Sequence, residues 1–405
     1  MSGKFSELMH SMDEEAVRVF DILQKNGPLT KAEVLNITGM KLTTLNRVMQ
    51  PMQDARLIAQ TGIGESSGGR KPVLYDVNTA DFLTVGIDIS RLHVEVIISD
   101  IKAKIVFRER FEMEALSSPS EVVYRIRGIL DKAFSYPGME RDRIIGAGLG
   151  TVGPLDRKKG TILNAANFSS AGWVDVPIRQ LLEESLGLDV IIDNGANTAV
   201  LAEYLFGTGK NLKNISCFIC GIGIRTGAVS CGSLVRTIND AEDAFGHMVV
   251  DVDGRNCSCG NFGCVEAYSS IPAIVNSFKA ALKKGRHSNI SKTIDEIRYT
   301  DICAAADGQD ELAKEIIADA AVIFGTGLAN FINLLNPDMV ILSGPLVKHS
   351  ELFYEVSTGI ASRKYYLHRE KRVVFMKGGY FGEDAIAVGA AAMVVENILG
   401  KRVIL

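Results

Sequence analysis

The sequence predicts an α/β protein in which a small, mainly helical head precedes a larger body of alternating strands and helices. Three observations carry this. The first eighty residues show helical periodicity that ends in two short apolar runs around a glycine- and serine-rich loop. From Leu83 onward, strand-like and helix-like stretches alternate to the end of the chain. Near the middle, His247, Cys257, Cys259 and Cys264 cluster within one glycine-containing stretch.

In the head, Ala16, Val19, Phe20 and Leu23 recur at helical spacing, which predicts an amphipathic helix over 13–25 that stops at Gly27-Pro28. Thr30 and Glu33 form a capping-box pair opening a second, short helix that ends at Gly39. Leu45, Val48, Met49 and Met52 mark the apolar face of a third, and Thr43, Thr44, Arg47 and Gln50 its polar face. Two helices joined by a glycine-containing turn, the second polar outward, match helix-turn-helix geometry. Hydroxyl, amide and guanidinium side chains suit base edges and phosphates. Pro51 ends or kinks the third helix, because it lacks an amide proton and crowds the carbonyl of Arg47.

The runs Leu57–Ala59 and Val73–Tyr75 flank TGIGESSGGRKP and read as a two-stranded wing. Between Lys41 and Lys71 there are five basic and two acidic residues, a local charge of +3 against −4 for the whole chain. Arg70 and Lys71, in a compact extended segment, fit a minor groove. The overall charge alone does not point to nucleic acid; the local patch does.

In the body, LTVGIDIS, HVEVIISD and KIVFRERF predict an antiparallel meander. A helix over 119–135, a strand running into Gly153-Pro154, a strand near 189–192 and a helix from 196 follow. Strands come around 215–236, a helix after Glu266, a long helix over 310–335, a strand over 338–343 and a last helix within 383–399. The stretch Gly221–Gly227 reads either as a tight turn between strands or as a loop whose amides approach phosphate. Arg225 within it is either an anion ligand or a solvated cation.

Composition sets limits. No run of about 18 apolar residues appears, so a membrane span is not expected. The N-terminal stretch lacks a signal peptide's apolar core, so the chain is expected in the cytoplasm. Seven cysteines in 405 residues form no disulfide framework. His247, Cys257, Cys259 and Cys264 match a closed structural zinc set, with Gly260 and Gly263 permitting the turns, and one Zn2+ per chain is expected. Cys217, Cys220, Cys231 and Cys303 lie in apolar contexts and read as inert core.

Four motifs resemble the ROK family of repressors, open reading frames and sugar kinases. They are Gly246-His247 with CSCGNFGCVE at 257–266, GLGTVGPLD at 148–156, NGANTA at 194–199, and GRKP at 69–72 behind the helix-turn-helix. The resemblance is closest to the repressor branch, which carries an N-terminal winged helix-turn-helix. It implies a two-lobed, actin-like (ribonuclease H-like) body with a sugar cleft between the lobes. The expected division is 1–80 for the head with its basic linker, 81–195 plus 382–405 for the first lobe, and 196–381 for the second. By similarity, Asn167 and Asn194 would hydrogen-bond sugar hydroxyls, and Glu266 would accept from two hydroxyls. His247 would bind zinc through one ring nitrogen and face the sugar with the other.

The departures from the family's kinases matter as much. Asp88-Ile89-Ser90-Arg91-Leu92 lacks the glycines of the first phosphate loop, and Arg225 and Thr226 make the second loop bulkier. Gly195 stands where the kinases carry the general-base aspartate, and Ala244 where sugar binders carry a glutamate. Each lost contact to a charged group weakens binding by roughly 1.5–3 kcal/mol. The resemblance therefore implies a DNA-binding regulator of carbohydrate genes rather than an enzyme. Its expected partners are a double-stranded DNA operator, a sugar or sugar derivative, and further copies of itself as a homodimer or homotetramer. Two alternatives remain: a sugar kinase with a DNA-binding head, and a regulator with a vestigial sugar site controlled by a protein partner.

Overall fold

The computed structural model describes residues 3–64, 71–164, 168, 170–236, 244–366, 370 and 372–400. The head comprises α1 (Gly3–His10), α2 (Glu14–Asn26), β1 (Leu29–Thr30), α3 (Lys31–Thr38), α4 (Leu42–Asp54), β2 (Ile58–Ile63) and β3 (Val73–Val77). Asp13 caps α2 by accepting from the Ala16 amide at 2.8 Å. The expected capping box of Thr30 and Glu33 opens α3, and Gly39, with φ of 71°, closes it in the left-handed region. α4 buries Leu45, Val48, Met49 and Met52 and runs through Pro51 to Asp54. The proline thus sits in the last turn, where one lost hydrogen bond is tolerated.

β1, β3 and β2 form an antiparallel wing sheet in that order. Helix α1 has no counterpart in the sequence reading. Its Phe5 and Met9 are nearly fully buried, and Phe5 packs against Phe20 and Phe82 with ring centroids 5.8 and 4.8 Å away.

The first body sheet contains β4 (Leu83–Ile89), β5 (His93–Asp100), β6 (Ile105–Glu112), β7 (Ile144–Thr151) and β11 (Val190–Asn194), ordered β11-β7-β4-β5-β6. β4, β5 and β6 are the antiparallel meander, and β7 and β11 add in parallel. Helices α5 (Pro119–Ala133) and α6 (Ile178–Leu186) accompany it, with a small sheet of β8 (Leu155–Asp156), β9 (Thr161–Asn164) and β10 (Val174–Val176). Their aliphatic faces form one core with the sheet, from Val85 and Ile126 to Leu182.

The second sheet, ordered β14-β13-β12-β15-β16, contains β12 (Ile215–Cys220), β13 (Ile224–Ser230), β14 (Ser233–Leu234), β15 (Met339–Ser343) and β16 (Val374–Lys377). Helix α7 (Gly195–Leu205) precedes it. Helices α8 (Glu266–Ser269), α9 (Ile271–Lys283), α10 (Tyr299–Asp307), α11 (Glu311–Leu335), α12 (Pro345–Lys348) and α13 (Glu351–Lys364) complete that lobe. α11 is long and apolar enough to cross a membrane by length and composition. Its apolarity has a local cause, since Ile317, Phe324 and Leu328 are buried in the lobe's core.

The last helix, α14 (Ala385–Ile398), returns to the first sheet and packs on β4, β7 and α7. Glycines let it press directly on the strands. A Cβ at Gly86 would lie 2.0 Å from the Ala387 carbonyl oxygen, and one at Gly148 would lie 1.8 Å from that of Ala390. The C-terminal end of α14 then enters the head. Val394, Val395 and Leu399 share one core with Phe5, Phe20, Phe82 and Ile145. Two polar ties reinforce this joint. Gln24 donates to the Ile101 carbonyl at 2.6 Å, and Lys102 donates to the Gly27 carbonyl and to Asp76, each at 2.7 Å.

Candidate metal knot and inter-lobe cleft

Gly246 to Glu266 fold into a compact knot. Single bridges pair Val249 with Cys264 and Asn256 with Phe262. The Val250 amide donates to the Gly263 carbonyl at 2.9 Å, and the Glu266 amide to the Gly246 carbonyl at 2.8 Å. Gly263 has φ of 70°, and a Cβ there would fall 1.6 Å from the Asp251 carbonyl oxygen, so only glycine fits.

These turns bring one ligand atom each from His247, Cys257, Cys259 and Cys264 within 4.8 Å of one another. The Cys259 and Cys264 sulfurs are 3.8 Å apart, far beyond a disulfide bond. Two thiolates bound tetrahedrally at about 2.3 Å from one ion would be about 3.8 Å apart. The Cys257 sulfur lies 3.5 Å from His247 Nδ1, and a sulfur and an imidazole nitrogen on one tetrahedral zinc ion would be separated by about 3.5 Å. The four residues therefore fit a closed tetrahedral metal site. Burial first, then the neighbouring Cys257 and Cys259 thiols, push the Cys264 thiol up to about 12. A bound divalent cation would reverse that preference.

The knot sets Glu266 against the turn between β12 and β13, beside Gly223 of the cleft lining. Its Oε2 accepts from the Ile224 amide at 2.9 Å. Gly221–Gly223 form the turn between β12 and β13, and Arg225, Thr226 and Gly227 belong to β13. The tight-turn alternative for this stretch therefore holds. Arg225 is not a solvated cation: it is only 6% exposed. Across the cleft, a Cβ on Gly223 would lie 3.0 Å from both Arg91 Nη1 and Glu266 Oε2.

Asn194 and Gly195 stand at the start of α7. Asn194 is fully buried and caps that helix, accepting from the Ala196 amide at 2.5 Å. Its Nδ2 is buried with no hydrogen-bond partner. Asp193 beside it is held by Arg236 through two hydrogen bonds of 2.9 and 2.6 Å and by Asn197 Nδ2 at 3.0 Å. A Cβ at Gly195 would lie 3.0 Å from Arg225 Nη1. Asn194, Gly195, Arg225, Ile224, Glu266 and the knot thus form a chain of neighbours. Asn167 lies outside the described residues, and Ala244 is exposed.

The cleft encloses about 530 Å³, with Asp88, Ser90, Arg91, Gly223, Arg225 and Ile386 among its lining residues. Ser90 is turned inward on His93, 3.1 Å from its Nδ1. Asp88 is buried beside His93, with Nε2 3.2 Å from Oδ2. Glu95, opposite Asp88 in the β4–β5 ladder, has its carboxyl raised to about 7 by burial first, then by Asp384 and Asp88.

In the head, Thr43, Arg47 and Gln50 are exposed on α4, and Thr44 is half-buried. Arg47 pairs with Asp13 at 2.7 Å and Glu15 at 2.5 Å on α2 and its cap. Gln50 donates to Asp54 at 2.8 Å. Lys71 is exposed, and Arg70 lies outside the described residues. The cysteine reading needs one correction. Cys217, Cys220 and Cys303 are buried, but Cys231 is exposed, in a turn with φ of 51°. Glu396 went unnoticed in the sequence, although a lone carboxylate in the apolar run AIAVGAAAMVVENI was the available signal.

The model of the ROK family matches residues 84–397, most of the chain. The chain belongs to the ROK family. It is 27% identical over 375 residues to a putative xylose repressor of Caldicellulosiruptor sp. (strain Rt8B.4), covering 92% of each chain. It is 29% identical over 268 residues to a glucokinase of Halalkalibacterium halodurans, covering 65% of this chain and 80% of that one. A crystal structure of a ROK family transcriptional regulator, a homolog of the Escherichia coli MLC protein, superposes with a TM-score of 0.78 at 22% identity. That match covers 96% of this chain and 97% of the other. The fold is thus a winged helix-turn-helix followed by the two-lobed, actin-like ROK body.

Proposed function

We propose that this ROK protein is a cytoplasmic, DNA-binding repressor of carbohydrate genes whose grip on its operator responds to a sugar derivative in the inter-lobe cleft. One observation carries the reading: α14 spans from the cleft to the head. Ile386 at its start would contact a side chain placed at Gly195, and Val394 and Val395 at its end lie in the core of the head. The helix has 14 residues, roughly 21 Å of rigid rod. A change in lobe closure at one end moves the other. A ligand acts only through its different affinities for the two lobe arrangements.

In this reading α4 enters a major groove, with Thr43, Thr44, Arg47 and Gln50 toward the bases and phosphates. Arg70 and Lys71 follow the wing. Two heads on a symmetric dimer or tetramer grip a palindromic site. Asn167, Asn194, His247 and Glu266 hold hydroxyls of the ligand. His247, Cys257, Cys259 and Cys264 hold one zinc ion, which when bound braces His247 and Glu266 and leaves no open position for chemistry.

Catalysis of sugar phosphorylation is not part of this reading, despite the similarity to a glucokinase. Gly195 has no side chain to take a proton from a hydroxyl. An aspartate there would meet the Arg225 guanidinium. Fluorescence anisotropy with the DNA upstream of the protein's own gene tests the proposal. Sequence-specific binding supports it. Absence of binding at low salt, or phosphorylation of hexoses with ATP above background, overturns it.

A further inference from the structure

The cleft contains a buried cation with no counter-ion among the described residues. Arg225 is 6% exposed and lines the cleft, and its Nη1 has no hydrogen-bond partner. No ion pair joins it to a carboxylate among the described residues. Asp88, the buried carboxylate among the other lining residues, sits 3.2 Å from His93 instead. A guanidinium withdrawn from water is stabilised only by an anion or by several acceptors around it. A helix start lies directly against it. Nη1 lies 3.0 Å from the Cβ position of Gly195, the first residue of α7. Helix N-termini favour negative charge. The adjacent Asn194 adds a second buried donor, Nδ2, with no acceptor.

Gly195 supplies no anion of its own to the guanidinium beside it. An acidic side chain at that position would fall against the guanidinium and neutralise it. At Gly195 even a Cβ would meet Arg225 Nη1 at 3.0 Å and Ile386 at 3.2 Å, so an anion reaches Arg225 from the cavity that this arginine lines.

We infer that the effector carries an anionic group, a phosphate ester or a carboxylate on a sugar, and that Arg225 binds it at the N-terminus of α7 with Asn194 beside it. This rests on the repressor reading above for what the ligand does, but the binding site stands on its own. The hydroxyls of the same molecule then face Glu266, whose Oε2 already accepts from the Ile224 amide next to Arg225.

The test uses the purified full chain in thermal-shift and calorimetric titrations. The probes are hexose, pentose and amino-sugar phosphates, glucuronate and gluconate, the matching neutral sugars, inorganic phosphate and ATP. At least one sugar phosphate or sugar acid is expected to bind ten-fold or more tighter than its neutral parent. Arg225→Met, which keeps length without charge, and Gly195→Asp, which supplies an internal anion, are each expected to erase that preference. Melting transitions of both variants without ligand separate a lost site from a lost fold. Equal binding of neutral and anionic sugars, no binding by any anionic sugar, a response confined to ATP or inorganic phosphate, or an unchanged preference in folded Arg225→Met overturns the inference. Operator binding measured on the same wild-type preparation keeps the two proposals apart. Its absence overturns the repressor reading, whereas operator binding without anion preference overturns only this one.

Discussion

Lys25 of α2 reaches across to α14 and places its Nζ 3.4 Å from Glu396 Oε1, a carboxylate that is 0% exposed. This ion pair ties the winged head to the helix that floors the cleft. Removing one partner of a buried pair leaves the other charge without compensation. Lys25→Met is expected to lower unfolding free energy by about 3 kcal/mol. Lys25→Met with Glu396→Leu should recover most of that loss. Urea denaturation checks both; a double variant no more stable than the single would show that the pair is not coupled. The single variant should also bind operator with a weaker response to effector.

The carboxyl of Glu95 gives a pH signature. Its folded value is about 7 against 4.5 unfolded, raised by burial first and then by Asp384 and Asp88. Between these values the folded protein binds more protons than the unfolded one. Stability from this group is therefore present below pH 4.5 and falls as pH rises through 7. Glu95→Gln removes the dependence. At pH 8 the variant should be the more stable by about 2–3 kcal/mol, and near pH 4.5 the two should match. Parallel pH–stability curves would refute the assignment.

Arg47 is held by Asp13 and Glu15, so a phosphate must displace these carboxylates. Arg47→Ala should weaken operator binding and reduce the slope of log K against log salt by about 1. Glu15→Gln should tighten binding roughly three-fold, since one competitor is removed while the Asp13 cap of α2 stays intact. Anisotropy at fixed and varied salt reads both. No change in either variant places Arg47 away from the DNA.

Arg70→Ala combined with Lys71→Ala should weaken binding across all sequences alike and lower the salt slope further. A change confined to one base position would instead indicate direct base reading by the wing.

Metal removal tests the knot. Atomic absorption should find about one zinc per chain, and chelation should lower the melting temperature by several degrees. Cys259→Ser should lose the metal and, with it, effector binding more than operator binding. A metal-free preparation with unchanged melting and effector affinity would show that the four residues do not work as a site.

Much of the fold was legible because its signals are local. The spacing of Ala16, Val19, Phe20 and Leu23 marks α2, and Thr30 with Glu33 marks the start of α3. Alternating strand and helix patterns gave the body, and the cysteine spacing gave the knot. Helix α1 was missed because its eight residues show their apolar face only against Phe20 and Phe82. Pro51 was ambiguous because the sequence does not say that α4 ends three residues later. Cys231 was read as core with the other cysteines, but Ser230, Gly232 and Ser233 around it mark the turn that carries it outward.

The sequence by itself determined the winged head, the α/β body and the cluster of His247 with three cysteines, since each depends on residues close along the chain. Turns at Gly260 and Gly263 gather the cysteines, and the bridge of Val249 with Cys264 brings His247 beside them. Tertiary structure alone decided the state of Arg225 and the pairing of Lys25 with Glu396. Whether an arginine on a strand meets water or a helix N-terminus depends on what packs over that strand. Here it is α7, whose first residue, Gly195, lies directly against the guanidinium. Whether a carboxylate in an apolar helix is exposed or paired depends on what docks against it. Here the partner comes from the opposite end of the chain.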